Sequence, residues 1–186
     1  MNRDFFLKPR YLSAFLWGIS EAMFFFIVPD VWLTIIYRIK RTNIIYATIV
    51  TTIGALIGGA IMFYMGKYFP EKTWFFLTEI PGISGQLLIQ VENQMQETGL
   101  LALVLGPFKG IPYKIFAVNS ARVEYNLYLF ILVSIPARCF RFIFSIFITK
   151  MVFKFLERNH EISEKSSIKI LAGFWVIFYT FYFYIF

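Results

Sequence analysis

The chain has 186 residues, of which 59% are hydrophobic and 21% aromatic, and its mean hydropathy is +0.66. A chain this short cannot hide that much apolar surface from water, so a soluble domain is excluded and a single-domain, all-α integral membrane protein is expected. The net charge of +7 falls in short loops between apolar segments, which is the positive-inside pattern and not the footprint of a nucleic-acid partner.

The first apolar stretch, Tyr11 to Tyr37, has Arg3, Lys8 and Arg10 on one side and Arg38, Lys40 and Arg41 on the other. Both flanks prefer the cytoplasm, and one crossing cannot satisfy both. A re-entrant hairpin can, with its bend at Val28-Pro29-Asp30, because proline removes a helical hydrogen bond and disfavours helix at the preceding residue. Each arm is then about a dozen residues, roughly 20 Å of helix, too short for a hydrocarbon core of roughly 30 Å. With the spanning helix that follows, Asn43 to Gly66, this makes repeat one, residues 10–66. Residues 67–99 carry Glu71, Glu79, Glu92, Glu97 and the Pro81-Gly82 turn, and read as an extracytoplasmic connector with an amphipathic surface helix over Gln86–Glu97.

Repeat two, residues 100–150, opens with an apolar block interrupted by Pro107, Lys109, Pro112 and Lys114, followed by Arg122 and Glu124 and a helix from about Asn126 to Thr149. A second hairpin fits, broken at Pro107 and Pro112 and entering from the outside. Hairpin plus helix thus occurs twice with opposite orientation, an inverted-topology repeat. The alternative is that both blocks are kinked spanning helices. Residues 151–169 read as a cytoplasmic loop and the uncharged 170–186 as an additional terminal spanning helix. The N-terminus, which shows no cleavage signal, is expected in the cytoplasm and the C-terminus outside.

Six charges then lie at membrane depth: Glu21, Asp30, Lys109, Lys114, Arg138 and Arg141. Each costs about 2.5–3.5 kcal/mol at a helix centre, so they must face one another or a water-filled cavity. The first half supplies two acids and the second four bases, which leaves about two positive charges for an anion, and broken helices add free amides to the attraction. The competing reading is that intramembrane ion pairs only fix how the hairpins dock, with Lys114 or Arg141 reaching an interface. Gly54-x-x-x-Gly58 and Ala55-x-x-x-Gly59 form a small-residue packing face. His160 is the only histidine, Cys139 the only cysteine, and no nucleophile set or nucleotide loop can be assembled. No enzyme, metal or cofactor is expected, and Ser20, Ser120 and Ser134 read as packing hydroxyls.

Three blocks resemble the DedA proteins, the SNARE-associated or VTT-domain superfamily. They are Glu21-Ala-Met-Phe-Phe-Phe-Ile-Val-Pro29-Asp30, the glycine-rich Gly54 to Lys67 ending in Tyr64-Met-Gly66-Lys67, and Phe108-Lys109-Gly-Ile-Pro112-Tyr113-Lys114 with Ala117-Val-Asn-Ser-Ala121. The third is most similar to the branch with Pro-Tyr/Phe-Lys in the second hairpin. Many members have Arg where this chain has Lys109, a second Arg slightly beyond Lys114, and Ala-Gly where Asn119-Ser120 stands. The resemblance implies a lipid translocase or scramblase, in bacteria one tied to polyprenyl-phosphate recycling and envelope homeostasis at the plasma membrane. It makes Glu21 and Asp30 protonatable acids and Lys109 and Lys114 headgroup-binding bases, with Arg138 and Arg141 on a less uniform part of the pattern. Expected partners are anionic phospholipid or polyprenyl phosphate, protons, and a second copy of the chain. An ion or small-solute secondary transporter and a non-transporting assembly protein are the alternatives.

Overall fold

The computed structural model describes residues 9–158 and 161–185. Arg3, Lys8 and His160, used above, lie outside the described residues. Among those described, the chain is all-helical with no strand. The helices are α1 (Pro9–Met23), α2 (Asp30–Tyr37), α3 (Ile44–Tyr68), α4 (Pro70–Thr78), α5 (Gly85–Thr98), α6 (Leu101–Leu105), α7 (Tyr113–Arg122), α8 (Leu127–Leu156) and α9 (Glu164–Ile185), with a 3-10 turn at Gly106–Lys109. Three of them, α3, α8 and α9, are long and apolar enough to cross a membrane.

The local causes are legible. Pro9 opens α1, where its missing N–H costs nothing. The helix ends where the amides of Phe24 and Phe25 both donate to Ser20 O, and Pro29 holds the chain until α2 starts at Asp30. Asn43 caps α3, its Oδ1 accepting from Tyr46 N at 3.1 Å, and Asn126 caps α8 in the same way through Tyr128 N at 2.8 Å.

α1 and α3 run parallel, with Gly18 against Thr51 and Ala55 and Gly58 against Ile19 and Ala22. Between them α2 brings the chain back, since Arg10 donates to Lys40 O and to Thr42 Oγ1 (2.8 Å), and Asn43 N donates to Tyr11 Oη (2.9 Å). Tyr125, just after α7, donates its hydroxyl to Met95 O at the end of α5, 3.3 Å away. α8 runs antiparallel to α3, pairing Phe130 with Phe63 and Cys139 with Thr52.

The small-residue face of α3 is a packing surface on two sides. A Cβ on Gly58 would stand 2.7 Å from Ile19 O and 2.8 Å from Ala22 Cβ, and one on Gly59 would stand 2.6 Å from Tyr113 Oη. Gly58→Val forces α1 away from α3, and overpacking of this kind costs about 1–3 kcal/mol. The expected result is a lower thermal midpoint in detergent solution. An unchanged midpoint would mean that α1 is not seated there.

The connector helix lies at Gly85–Thr98, capped by Ser84, and buries Leu88, Val91 and Met95 on one face, as its amphipathic pattern predicts. The expected loop over 151–169 is shorter in the structure. α8 continues to Leu156, where Lys150, Met151, Lys154 and Leu156 are good helix formers. α9 starts early, at Glu164, with Ser163 Oγ accepting from Ser166 N at 3.2 Å. Arg38 fastens the three ends. It pairs with Glu157, stacks 4.3 Å from the centre of the Phe153 ring and donates to Ser167 Oγ at 3.1 Å.

Candidate functional site

Glu21 sits in the last turn of α1 and is 2% exposed; it is ion-paired with Arg138 of α8, which is 0% exposed. Tyr113, the first residue of α7, supports the guanidinium from below, with its ring centre 4.1 Å from Cζ. Arg138 Nε and Nη1 have no hydrogen-bond partner among the described residues. Asp30, the first residue of α2, is held by Arg141 at 3.0 Å, and Ser145 Oγ donates to its other oxygen. Arg138, Arg141 and Ser145 are spaced three and four residues apart, so one face of α8 presents all three.

Lys114 on α7 is 1% exposed. Its Nζ donates to Phe25 O at 3.0 Å, a carbonyl released by the break after α1. Among the described residues it makes no ion pair with a carboxylate. Acids from α1 and α2 thus meet bases from α7 and α8, five charged groups around the two chain breaks.

Lys109 stands apart from this group, although the sequence reading sets it together with the others. It is exposed at the end of the 3-10 turn. Gly110, with φ +75°, reverses the chain immediately after it, so Lys109 lines an outer groove with Gln86 and Gln90 of α5. The buried balance changes accordingly. Three bases face two acids, which leaves one positive charge in place of the two counted from sequence.

The prolines mark the breaks. Pro29 precedes α2, Pro107 lies in the first turn of the 3-10 segment and Pro112 precedes α7 in an extended conformation. Between the breaks lies a cavity of about 220 Å³. Its charged wall is Glu21, Asp30, Lys114 and Arg141; Val28, Pro107, Gly110, Ile111 and Pro112 form its floor. The opposite wall was not anticipated. Trp175, Phe178, Tyr179 and Tyr182 of α9 close it, together with Ile80, Pro81 and Ile83. The positions 175, 178, 179 and 182 recur at helical spacing and so share a face, a periodicity visible in the sequence but hidden in a helix that is aromatic on every side. Tyr179 Oη accepts from Val28 N at 2.8 Å, and Trp175 Nε1 donates to Thr34 Oγ1 at 3.0 Å.

No cluster of potential metal ligands exists among the described residues. What the site offers is a largely apolar chamber with one ionic wall, backbone groups opened by prolines, an ammonium outside any direct ion pair and a guanidinium that is 18% exposed.

Fold and site together define an all-helical protein with three candidate membrane-spanning helices and a buried ionic chamber. Across 144 residues it is 26% identical to an uncharacterized protein of Haemophilus influenzae (strain ATCC 51907 / DSM 11121 / KW20 / Rd), covering 73% of this chain and 71% of that one. No family model matches the chain, and no solved structure does.

Proposed function

We propose that this chain is a multi-pass plasma-membrane transporter of the DedA type that moves an anionic, phosphate-bearing lipid headgroup between leaflets. α1 with α2, and α6 with α7, are its two re-entrant hairpins, related as an inverted repeat. The N-terminus is cytoplasmic and the C-terminus lies outside. The observation that carries the reading is Lys114, a buried ammonium whose hydrogen bond goes to a backbone carbonyl and which shares Glu21 with Arg138 without a direct ion pair of its own, in a chamber whose other charges are matched in pairs. An apolar layer does not tolerate an uncompensated cation unless an anion or water completes it. Phosphate on Lys114 and Arg141 supplies that anion, and the prolines keep backbone donors within reach. Glu21 and Asp30 serve as protonatable partners. Their neutralisation releases Arg138 and Arg141 toward the headgroup and couples movement to protons.

The chamber's size favours a second reading. About 220 Å³ accommodates a phosphate headgroup and no acyl chain, so a small free anion would fit as well. Purified protein in liposomes distinguishes the two. The lipid reading expects fluorescent anionic phospholipid or polyprenyl phosphate to reach the outer leaflet faster than in protein-free vesicles, with no uptake of inorganic phosphate. Phosphate uptake without lipid movement would replace it with the solute reading, and neither would remove transport altogether.

A further inference from the structure

We infer that α9 is a lid over the chamber, with the Tyr179 hydroxyl occupying the acceptor position that an anion's oxygen takes when the lid opens. This rests on the transport reading for its purpose, though not for its geometry. Val28 lies in the break between α1 and α2, where its amide has no helical acceptor, and that N–H points at Tyr179 Oη 2.8 Å away. A free backbone N–H beside Lys114 and Arg141 is what a phosphate or carboxylate oxygen would seek. In the structure a hydroxyl from another helix fills that place.

The rest of α9 suits a lid. Its foot is fastened by Arg38 to Ser167 and by Glu164, whose Oε2 accepts from Lys40 N at 3.0 Å. Over the chamber it is held by side-chain contacts, among them Tyr179 on Val28 and Trp175 on Thr34, with Tyr182 seated over Gly82. Elsewhere it touches Phe26 through aromatic edges, with ring centres 5.1 Å from Phe183 and 6.3 Å from Tyr179. Its outer face is exposed, as Ile177 at 71% and Phe181 at 64% show. Swinging the upper half outward breaks the Tyr179 and Trp175 hydrogen bonds and exposes aromatic surface to lipid, which is no less apolar than the surface it leaves. The same movement opens the chamber sideways to the bilayer and frees the Val28 amide.

The test is a labelling rate, independent of any transport. In a Cys139→Ala background, Ser145→Cys places a thiol on the chamber wall, and small methanethiosulfonates of matched size, one anionic and one neutral, are applied to protein in liposomes. Tyr179→Phe removes one lid hydrogen bond, and labelling is expected to rise about three- to tenfold, more for the anionic reagent than for the neutral one. Equal rates in the Tyr179→Phe and parent proteins overturn the lid. A second measurement uses Val28→Cys with Tyr179→Cys in the Cys139→Ala background, joined by a short bis-methanethiosulfonate, which expels a sulfinate at each thiol and forms two reducible disulfides. Lipid movement should stop on linking and resume on reduction, whereas undiminished movement in the linked protein also overturns the lid. If the unmodified protein moves no lipid, the transport reading fails by itself and the labelling ratio decides the lid alone.

Discussion

Glu21→Ala is expected to unfold the protein at markedly lower temperature than any neighbouring substitution. Arg138 is fully buried, and Glu21 is its ion-pair partner. Removing the carboxylate leaves a guanidinium with no counter-charge in an apolar bundle, and breaking a buried pair from one side costs about 3–5 kcal/mol. Tyr113 mitigates little of this, because the ring already contributes in the parent. Arg138→Met should cost less, since Lys114 and Arg141 still face Glu21. The double substitution removes both charges together and should recover most of the loss, because a well-packed apolar pair in place of a buried ion pair is often neutral or stabilising. Thermal unfolding of the four proteins in one detergent gives the cycle. Additive losses would mean that the two side chains do not act on each other, and the pairing would be wrong.

How much of this could be read from the residues alone depends on what kind of signal each feature left. Glu21, Asp30, Arg138 and Arg141 were legible because a charge within an apolar run stands out, and the cost of placing it in lipid demands a partner. Their separation by sign between the two halves predicted that they would meet. The individual pairs were not predictable, because they depend on the register of α8 against α1 and α2, which is relayed through α3: α1 seats on it at Gly18 and Thr51, and α8 at Cys139 and Thr52. Lys109 was misplaced because an apolar context does not reveal a chain reversal. The left-handed Gly110 sends Lys109 outward and Lys114 inward, though only four residues separate them. The role of α9 was hidden for the opposite reason. A helix with Phe, Tyr and Trp on all sides shows no contrast between the face toward lipid and the face toward a chamber, and contacts such as those of the Trp175 and Tyr179 polar ends tell them apart. The break at Val28-Pro29 was plain, while the partner of its freed amide lay 151 residues away.

Lys114→Met should yield a protein that is at least as stable as the parent and nearly inactive. The two halves of that expectation come from the same geometry. The ammonium is taken out of water and given one carbonyl, Phe25 O at 3.0 Å, and no carboxylate. Methionine fills nearly the same volume with no charge to desolvate, so the substitution is expected to raise the thermal midpoint or leave it unchanged. If the ammonium served only to dock α7 against the break after α1, losing it would lower that midpoint. Activity should move the other way. A charge-assisted contact to phosphate is worth about 1.5–3 kcal/mol, and its loss lowers the initial rate of lipid exposure in liposomes about 10- to 100-fold. Lys109→Met offers the contrast. That side chain stands in the outer groove beside Gln86 and Gln90, where water and salt screen it, so its removal should lower the rate only about two- to threefold, and less at high ionic strength. Equal losses from the two lysines would return Lys109 to the binding site. A destabilised Lys114→Met protein with normal transport would make Lys114 a structural cation, and the chamber would then hold no place for an anion.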